Sequence, residues 1–444
     1  GPLVSTDMTR CIHCTRCVRF GEEIQGKPQL GTTLRGENVE ISTYVEQNID
    51  HELSANIIDL CPVGALNNKP YRYSARSWEM TQHATVAPHD CVGSNIYAHA
   101  LRGTVKRVVP RSNEAINESW ISDRDRFSFE AIYAADRLQQ PRIKESGEWR
   151  ELDWEEALEA AAQELRKAET LGMLASPSST VEEGHLLTRL AEHLGTPNVD
   201  HRIERRDFCD QDSDPAFPWL GCDIADIEKQ DAILVVGSNI RQEAPILAHR
   251  IRKAALAGAS VSFVDSETRE YFFAVDHQVS GAGLVELLGS DAMHPVVETL
   301  TDADSALVLL GNVAGRHQAF SAVRSLAAEI ADKTGARLGT LSPGANSAGL
   351  SQAGVLPQQG DGLHAGEMLD ASLDAVVLLN VEPDADLHAT PDAVEKLAKQ
   401  GFVIALTPFV SDALLEAADL LLPVGTFAET SGTYVNVAGT WQSF

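Results

Sequence analysis

The chain has 444 residues, of which 43% are hydrophobic and 23% are charged, and this length predicts about two to four globular domains. Its formal net charge of −28 argues against nucleic acid or an anionic lipid surface as the partner. The sequence has no apolar run of the roughly 18 residues that a membrane helix needs. We therefore expect a protein that inserts no segment into a membrane.

Residues 1–75 are polar and irregular, and they hold four of the seven cysteines, namely Cys11, Cys14, Cys17 and Cys61. The first three fall within seven residues, and the fourth follows a predicted helix over residues 52–60 that Pro62 ends. A cubane iron–sulfur cluster needs three convergent thiolates and a fourth from elsewhere, and its last cysteine often precedes proline. This spacing predicts a [4Fe–4S] cluster on the four cysteines.

The clustered cysteines admit two other interpretations, a structural zinc site and unligated reduced thiols, and thiols this close together would be an oxidation hazard. Structural zinc usually takes two Cys-x2–4-Cys knuckles, and the second knuckle is missing from this sequence. The remaining cysteines stand singly and are expected to be free buried thiols: Cys91, Cys209 and Cys222. The side chains around the ligands are basic and would either raise the potential of the cluster or form solvated surface: Arg10, His13, Arg16 and Arg19.

Residues 76–130 predict a small β subdomain, with strands over 94–101 and 104–109 joined at Arg102 and Gly103. From residue 131 to 444, apolar strands alternate with helices, as in a buried parallel sheet. We predict strands at 171–175, 232–237, 261–265, 306–311, 375–380 and 403–407. We predict helices at 153–170, 180–194, 243–257, 320–334, 391–399 and 411–418. The fold class is therefore α/β, with a doubly wound domain of one or more lobes.

The turn Gly237, Ser238 and Asn239 follows a predicted strand, where an α/β sheet would bind a ligand. It lacks both G-x-G-x-x-G and G-x-x-x-x-G-K-[ST], so it is weak evidence for a phosphate site.

The segment 8–20, MTRCIHCTRCVRF, resembles the large iron–sulfur subunit of respiratory complex I, the NADH:quinone oxidoreductase. Further segments resemble the same family: 59–66, 71–79, 92–96, 117–123, 237–245 and 429–436. The resemblance implies that Cys11, Cys14, Cys17 and Cys61 ligate one [4Fe–4S] cluster, and that the cluster passes electrons from the NADH and flavin side toward quinone. It assigns no catalytic residue to this chain.

The same resemblance implies the partners and the location of the protein. The partners would be the flavin-bearing, NADH-binding subunit and the quinone-side iron–sulfur subunits of the peripheral arm. The location would be the cytoplasmic face of the bacterial inner membrane or the matrix side of the mitochondrial one. Members of the family carry a [2Fe–2S] domain and a further [4Fe–4S] cluster near the N-terminus, and neither motif occurs here. We therefore expect the sequence to be a fragment, with those clusters in the missing part.

Residues 131–444 resemble molybdopterin oxidoreductases such as formate dehydrogenase. Those enzymes hold a cluster on Cys-x2-Cys-x3-Cys and a later cysteine, and the matching positions here are Ala87, Asp90, Ser94 and Ser122. Cys91 is one residue out of register. The resemblance implies a degenerate cluster site, no molybdopterin and a structural role for the α/β domain. The alternatives are a molybdopterin-dependent oxidoreductase and a non-catalytic assembly scaffold.

Overall fold

The computed structural model describes residues 2–43, 48–281, 283–358, 362–387, 390 and 392–444. The strands within these ranges are β1 (Val4–Thr6), β2 (Leu30–Thr33), β3 (Glu40–Thr43), β4 (Leu66–Asn68), β5 (Thr81–Val86), β6 (Asn95–Leu101), β7 (Thr104–Pro110), β8 (Arg142–Glu145), β9 (Glu148–Glu151), β10 (Leu171–Ala175), β11 (Val199–Asp200), β12 (Ala232–Val236), β13 (Ser260–Asp265), β14 (His277–Ser280), β15 (Ala306–Leu310), β16 (Arg337–Thr340), β17 (Ala375–Leu379), β18 (Val403–Thr407), β19 (Leu420–Pro423), β20 (Thr433–Val435) and β21 (Trp441–Ser443).

The α-helices within the same ranges are α1 (Arg16–Arg19), α2 (Asn56–Leu60), α3 (Asp123–Phe127), α4 (Trp154–Lys167), α5 (Val181–Leu194), α6 (Ile240–Glu243), α7 (Pro245–Ala257), α8 (Leu284–Leu288), α9 (His294–Asp302), α10 (Asn312–Gly315), α11 (Phe320–Thr334), α12 (Ser347–Gln352), α13 (Ala365–Asp370), α14 (Pro383–Asp386), α15 (Ala393–Ala398) and α16 (Asp412–Ala417).

The cysteine-rich start of the chain is built from short elements. Strands β1 and β4 pair antiparallel, β2 and β3 form a second antiparallel pair, and a π-helix (Phe20–Gln25) continues α1. The helix predicted over 52–60 covers only Asn56–Leu60, because residues 52–54 form turns before it. Val18 and Ile57 belong to the same hydrophobic core as Ile233 of β12. The cysteine region is therefore packed onto the α/β body.

The predicted β subdomain is a three-stranded antiparallel sheet in the order β5-β6-β7. Its hairpin turn has Arg102 at φ 53° and Gly103 at φ 77°, the left-handed pair that a two-residue hairpin favours. The two predicted strands and their turn are confirmed, and β5 adds a strand that the sequence analysis missed. The division of the chain into 1–75, 76–130 and 131–444 stays a prediction.

The rest of the chain forms two lobes, each built on its own sheet. The seven-stranded lobe has the order β11-β10-β17-β18-β19-β8-β9, and the five-stranded lobe has the order β14-β13-β12-β15-β16. The five-stranded sheet is parallel throughout, whereas β8 and β9 make an antiparallel edge on the other sheet. Every residue of β10, β12, β15 and β17 is buried, as continuous apolar strands require. The predicted α/β class is confirmed, with two lobes.

Local signals set several of the helix ends. Asp153 caps α4 by accepting the Glu156 N–H, and Thr180 caps α5 in a capping box with Glu183. Three predicted helices differ from the structure. The helix predicted over 391–399 covers Ala393–Ala398, and residue 391 lies outside the described residues. Helix α4 ends at Lys167 rather than near 170, and the helix predicted over 243–257 is α7, which begins at Pro245 after a break at Ala244. Proline fits the first position of a helix because it has no N–H to donate.

A close contact between β16 and Leu220, which lies in the segment between β11 and β12, supplies the first testable prediction. A Cβ on Gly339 would lie 1.9 Å from the carbonyl oxygen of Leu220, so the backbone would have to move. We expect Gly339→Ala to lower the free energy of unfolding by about 2–3 kcal/mol. Gly335→Ala is the control, because its φ of +72° costs about 1 kcal/mol but its Cβ meets open space. Equal urea midpoints for the two variants would contradict the prediction.

Candidate metal centre

The first three cysteines converge because the backbone between them reverses twice. Cys11 follows a short 3-10 turn, and Cys17 lies in α1. Between them, His13 has φ 52° and Thr15 has φ 59°, both in the left-handed region. This conformation costs roughly 1–2 kcal/mol per non-glycine residue, so the surrounding structure has to hold it.

Cys61 enters the same site from a distant part of the chain. It is the C-cap of α2, and its N–H donates to the Ile57 carbonyl at 3.1 Å. Its Sγ accepts the Leu66 N–H at 3.4 Å, just as Cys11 Sγ accepts the His13 N–H at 3.4 Å. Hydrogen bonds of this kind to ligand sulfurs stabilise thiolates and raise the potential of an iron–sulfur cluster.

The structure brings all four predicted ligands to the wall of one small pocket. Cys11, Cys14, Cys17 and Cys61 are partly buried and line it together with apolar side chains that include Met8, Ile12 and Leu66. Within the described residues, no three or more His, Cys, Asp or Glu side chains form a group that could hold a single metal ion. A cubane makes no such demand, because each of its irons takes a different thiolate. The donor set therefore fits a [4Fe–4S] cluster.

The surroundings of Cys17 oppose its ionisation. Burial raises the pKa of the Cys17 thiol, the negative charges of Cys14 and Cys61 raise it further, and backbone hydrogen bonds offset part of the rise. Iron ions supply the positive charge that keeps such thiolates deprotonated. Among the flanking basic residues, Arg16 lines the pocket and Arg10 pairs with Asp7 at 3.0 Å.

The other three cysteines do not line this pocket. Cys91 and Cys222 are each 3% exposed, and burial raises the pKa of both thiols, that of Cys222 to about 11. These two are the free buried thiols that we expected. Cys209 is exposed, so the expectation of burial is wrong for it. It lies in a polar loop, where a hydrogen bond with Asp207 raises its pKa.

The four positions that the resemblance aligns with cluster ligands of molybdopterin oxidoreductases are all buried. The Ser94 hydroxyl has no hydrogen-bond partner among the described residues. The Ala87 N–H donates to the Ser94 carbonyl at 2.9 Å. Asp90 pairs with Arg124 at 2.9 Å, and Ser122 caps α3 by accepting the Asp125 N–H at 3.0 Å. Burial raises the pKa of Asp90 to about 6.

The Gly237 turn lies at the switch point of the five-stranded sheet, where β13 and β15 flank β12. Its hydrogen-bond donors face inward and meet the carboxylate of Glu243. That carboxylate accepts from the Ser238 hydroxyl at 2.7 Å, the Asn239 N–H at 2.9 Å and the Asn312 N–H at 3.1 Å. Burial raises the pKa of Glu243, and these three hydrogen bonds offset part of the rise. A side chain of the protein thus fills the place where such sheets bind anionic ligands.

A cavity of about 670 Å³ opens between the two lobes, at the carboxyl ends of β15 and β16 and beside the loop after β11. Four arginines line it, and each is paired with a carboxylate of the cavity wall: Arg202 with Asp214, Arg205 with Asp214, Arg316 with Glu204 and Arg324 with Asp210. None of the four cysteines lines this cavity. The interlobe cavity and the thiol site are therefore separate features.

Comparison with known proteins identifies the family of this arrangement. Residues 137–444 match the family model described as molybdopterin oxidoreductase. The chain belongs to this family. Residues 1–67 match "NADH-quinone oxidoreductase subunit 3, ferredoxin-like domain", and residues 81–130 match "NADH-ubiquinone oxidoreductase NDSU1/NuoG-like, 4Fe-4S domain". A molybdopterin-oxidoreductase-type body is thus preceded by two domains of iron–sulfur type.

Three curated relatives are similar along the whole chain. A subunit of NADH-quinone oxidoreductase from Rickettsia bellii is 34% identical over 451 residues, which cover 100% of this chain and 63% of that protein. The 75 kDa subunit of NADH-ubiquinone oxidoreductase of Reclinomonas americana is 32% identical over 464 residues, which cover 100% of this chain and 65% of that protein. The mitochondrial 78 kDa subunit of NADH-ubiquinone oxidoreductase of Candida albicans is 34% identical over 455 residues, which cover 100% of this chain and 60% of that protein. The chain therefore spans less than two thirds of the length of these relatives, and the predicted resemblance to the large iron–sulfur subunit is confirmed.

A solved structure supports the fold of the α/β body. Acetylene hydratase from Pelobacter acetylenicus superposes with a TM-score of 0.52 at 13% identity, over 81% of this chain and 66% of that chain. At this identity the likeness shows the fold alone.

Sequence analysis missed three features of the site region. These are the carboxylate of Glu243 in the turn, the arginine pairs of the cavity and the contacts that α3 makes with α2. The sequence shows Glu243 six residues after Gly237, but no pattern in it indicates that the Glu243 carboxylate folds back onto the turn.

The buried carboxylate of Glu243 supplies the second testable prediction. Glu243→Ala leaves two partly buried N–H groups and one hydroxyl without their acceptor, and each such group costs up to about 1–3 kcal/mol when it is unsatisfied. We expect this variant to lower the thermal midpoint clearly more than Glu243→Gln, whose amide oxygen still accepts. Equal melting temperatures by circular dichroism would contradict the role given to the carboxylate.

Proposed function

We propose that this chain is an electron-relay subunit of an NADH:quinone oxidoreductase, with one [4Fe–4S] cluster held by Cys11, Cys14, Cys17 and Cys61. The observation that carries the proposal is that four thiols from two distant segments line one pocket. When bound, such a cluster accepts and donates single electrons. The protein contributes the four ligands, hydrogen bonds to two of the sulfurs and an apolar wall.

The wall of the pocket suits one-electron transfer. Ile12, Val63 and Leu66 place hydrocarbon beside the thiols, which limits the access of water. Arg16 adds a positive charge at the rim, which would favour the reduced cluster electrostatically. The sequence shows no Ser–His–Asp or Cys–His arrangement and no motif for NADH or quinone, and we propose no independent substrate site in this chain.

We further propose that the chain binds no molybdopterin. Glu243 fills the anion site at the switch point, and Asp90 occupies a position that holds a cluster ligand in molybdopterin oxidoreductases. The arginines of the interlobe cavity already pair with carboxylates of the chain. A phosphate group would have to displace these carboxylates in order to bind the arginines. One cubane would then be the full complement of these residues.

The cavity nevertheless favours a second candidate, a molybdopterin-dependent oxidoreductase. A space of about 670 Å³ at the carboxyl ends of parallel strands is where an α/β sheet binds a cofactor. The two candidates differ in composition, because only the second requires molybdenum and pterin. Elemental analysis and pterin fluorescence after acid oxidation of the purified protein separate them.

The surface beside the cysteine pocket supports a protein partner. Tyr73 is 87% exposed and Trp78 is 79% exposed, and Arg72 and Arg76 lie over their rings at 4.7 and 5.7 Å. Arg72 also contacts Asp7 at 3.7 Å, and Asp7 binds Arg10 beside the pocket. Exposed aromatic side chains with arginine are typical of protein interfaces. We propose that this face meets a redox subunit of the peripheral arm, either the flavin-bearing one or a quinone-side one.

The proposed location follows from that assembly. No described helix is long and apolar enough to span a bilayer. We propose that the chain joins the membrane complex through its partner subunits, on the cytoplasmic face of a bacterial membrane or its mitochondrial equivalent, the matrix face.

Removal of the fourth ligand tests the relay function. Cys61→Ala leaves three thiols at the pocket, so we expect loss of the low-temperature EPR signal of one cluster, loss of about four irons and block of electron flow from NADH to quinone. Cys209→Ala is the control, because Cys209 is an exposed thiol outside the pocket. EPR and turnover unchanged by Cys61→Ala would defeat the assignment.

The proposed interface gives a separate prediction. We expect Tyr73→Ser combined with Trp78→Ser to weaken retention of the chain in the complex by about tenfold or more, with the cluster signal intact. A matched control removes two other exposed apolar side chains, Leu186 and Trp441, which are 68% and 57% exposed. Recovery of each variant with the complex on native gels is the measurement. Equal recovery of the two double variants would remove this face from the interface.

A further inference from the structure

Helix α2, which carries Cys61, is too short to hold its own position. It has five residues, Asn56–Leu60, and isolated helices shorter than about 12 residues are marginal in water. Its N-cap, Ala55, offers no side-chain cap. The position of the Cys61 thiol therefore depends on contacts made by other parts of the chain.

Helix α3 supplies those contacts at both ends of α2. At the start, the Asp123 carboxylate accepts the Ala55 N–H at 2.8 Å and the Ser54 hydroxyl at 2.5 Å. At the end, the Arg126 guanidinium donates to Asp59 at 2.5 Å, two residues before Cys61. Asp123 thus acts as a cap supplied from another segment, and Arg126 binds the last turn.

The Arg126 contact is directional because the guanidinium is buried. Arg126 is 1% exposed, and it also donates to the Asn56 Oδ1 at 3.2 Å. Asn56 is itself 1% exposed and donates to the Ile121 carbonyl at 2.8 Å. A desolvated charge keeps its partners because losing one leaves it unpaired at a cost of several kcal/mol. The group can therefore fix the rotation of α2 as well as its distance from α3.

The degenerate cluster positions in turn fix α3. Ser122 caps the helix, Asp90 pairs with Arg124 at 2.9 Å, and the His89 ring bonds Asp125 at 2.9 Å. Residues that match cluster-ligand positions in molybdopterin oxidoreductases thereby support the helix that holds Cys61. This connection links the second domain of the chain to the cysteine pocket of the first.

We propose that Arg126 is the positioning residue for the fourth cluster ligand: it binds the last turn of α2 through Asp59 and Asn56 and so sets where the Cys61 thiol meets the cluster. The inference rests on the proposed relay function. A displaced α2 would also move Cys61 away from the Leu66 N–H, which bonds its sulfur. Loss of an outer partner of this kind typically costs 10- to 100-fold in metal affinity.

The test uses the full-length chain, purified anaerobically in its complex. The difference between wild type and Cys61→Ala defines the EPR signal of this cluster. We expect Arg126→Met to shift the g values and the midpoint potential of that signal, and to speed iron loss to a chelator by at least about tenfold. Arg126→Lys keeps a donor for Asp59 and should restore part of the wild-type behaviour.

A matched control separates positioning from general stability. Arg250 is also buried, at 3% exposed, and pairs with Glu118 at 3.1 Å and with Glu228, but no hydrogen bond or ion pair found among the described residues joins it to α2. We expect Arg250→Met to lower the melting temperature without shifting the g values or the potential.

The outcomes test the positioning role of Arg126 separately from the relay function of the chain. Wild-type g values, potential and chelator resistance in Arg126→Met would overturn the positioning role. If that variant fails to fold, Asp59→Asn weakens the same pair from its half-exposed side and should shift the signal in the same direction; an unshifted signal again overturns the role. A wild-type protein that has no signal for Cys61→Ala to remove would contradict the relay function itself.

Discussion

The convergence of four partly buried cysteines on one pocket is the constraint on which the cysteine region depends. Burial raises the pKa of Cys17, and the charges of its neighbours raise it further, so the pocket by itself favours the neutral thiol at this position. The elements that carry the ligands are only four and five residues long, and two linking residues adopt left-handed backbone. Neither local helix propensity nor burial of these elements can hold such an arrangement. The restraint has to come from side chains of the α/β body and the β subdomain.

A second theme is the use of carboxylates where an enzyme of this fold would hold a charged cofactor. Glu243 occupies the donors of the switch-point turn, and Asp90 occupies a ligand position of the second cluster. In the interlobe cavity, Asp210 and Asp214 bind the arginines. A carboxylate of the chain binds such donors without the loss of translational and rotational entropy that accompanies the binding of a free ligand. The pattern gives the proposed loss of molybdopterin a physical basis.

The sequence predicted those parts of the fold that short-range chemistry controls. Apolar strands, helix α11 and the hairpin at Arg102 lie where the patterns indicated, and the four predicted ligands meet at one pocket. Features set by distant contacts were missed. Arg126 and Asp59 are 67 residues apart in sequence, and nothing in either segment indicates the other. The burial expected for Cys209 failed for a related reason, since exposure of a loop depends on what packs against it.

The two segments that supply the cysteines of the pocket both contact the helices that follow the Gly237 turn. On α7, Arg252 donates to the carbonyls of Glu23 at 2.6 Å and Glu22 at 3.1 Å, at the end of the π-helix that continues from Cys17. On α6, Arg241 pairs with Glu52 at 2.9 Å, just before the turns that lead into α2.

These two helices are the element that a ligand-binding α/β fold would aim at a phosphate. Here the Glu243 carboxylate accepts the hydrogen bonds at their start, and Arg241 and Arg252 bind the two segments that carry the cysteines. A body retained only as bulk would not need arginines that bind these two segments. We therefore propose that the α/β domain is a scaffold for the cysteine pocket, because its contacts fix the distance between the turn of Cys17 and the helix of Cys61.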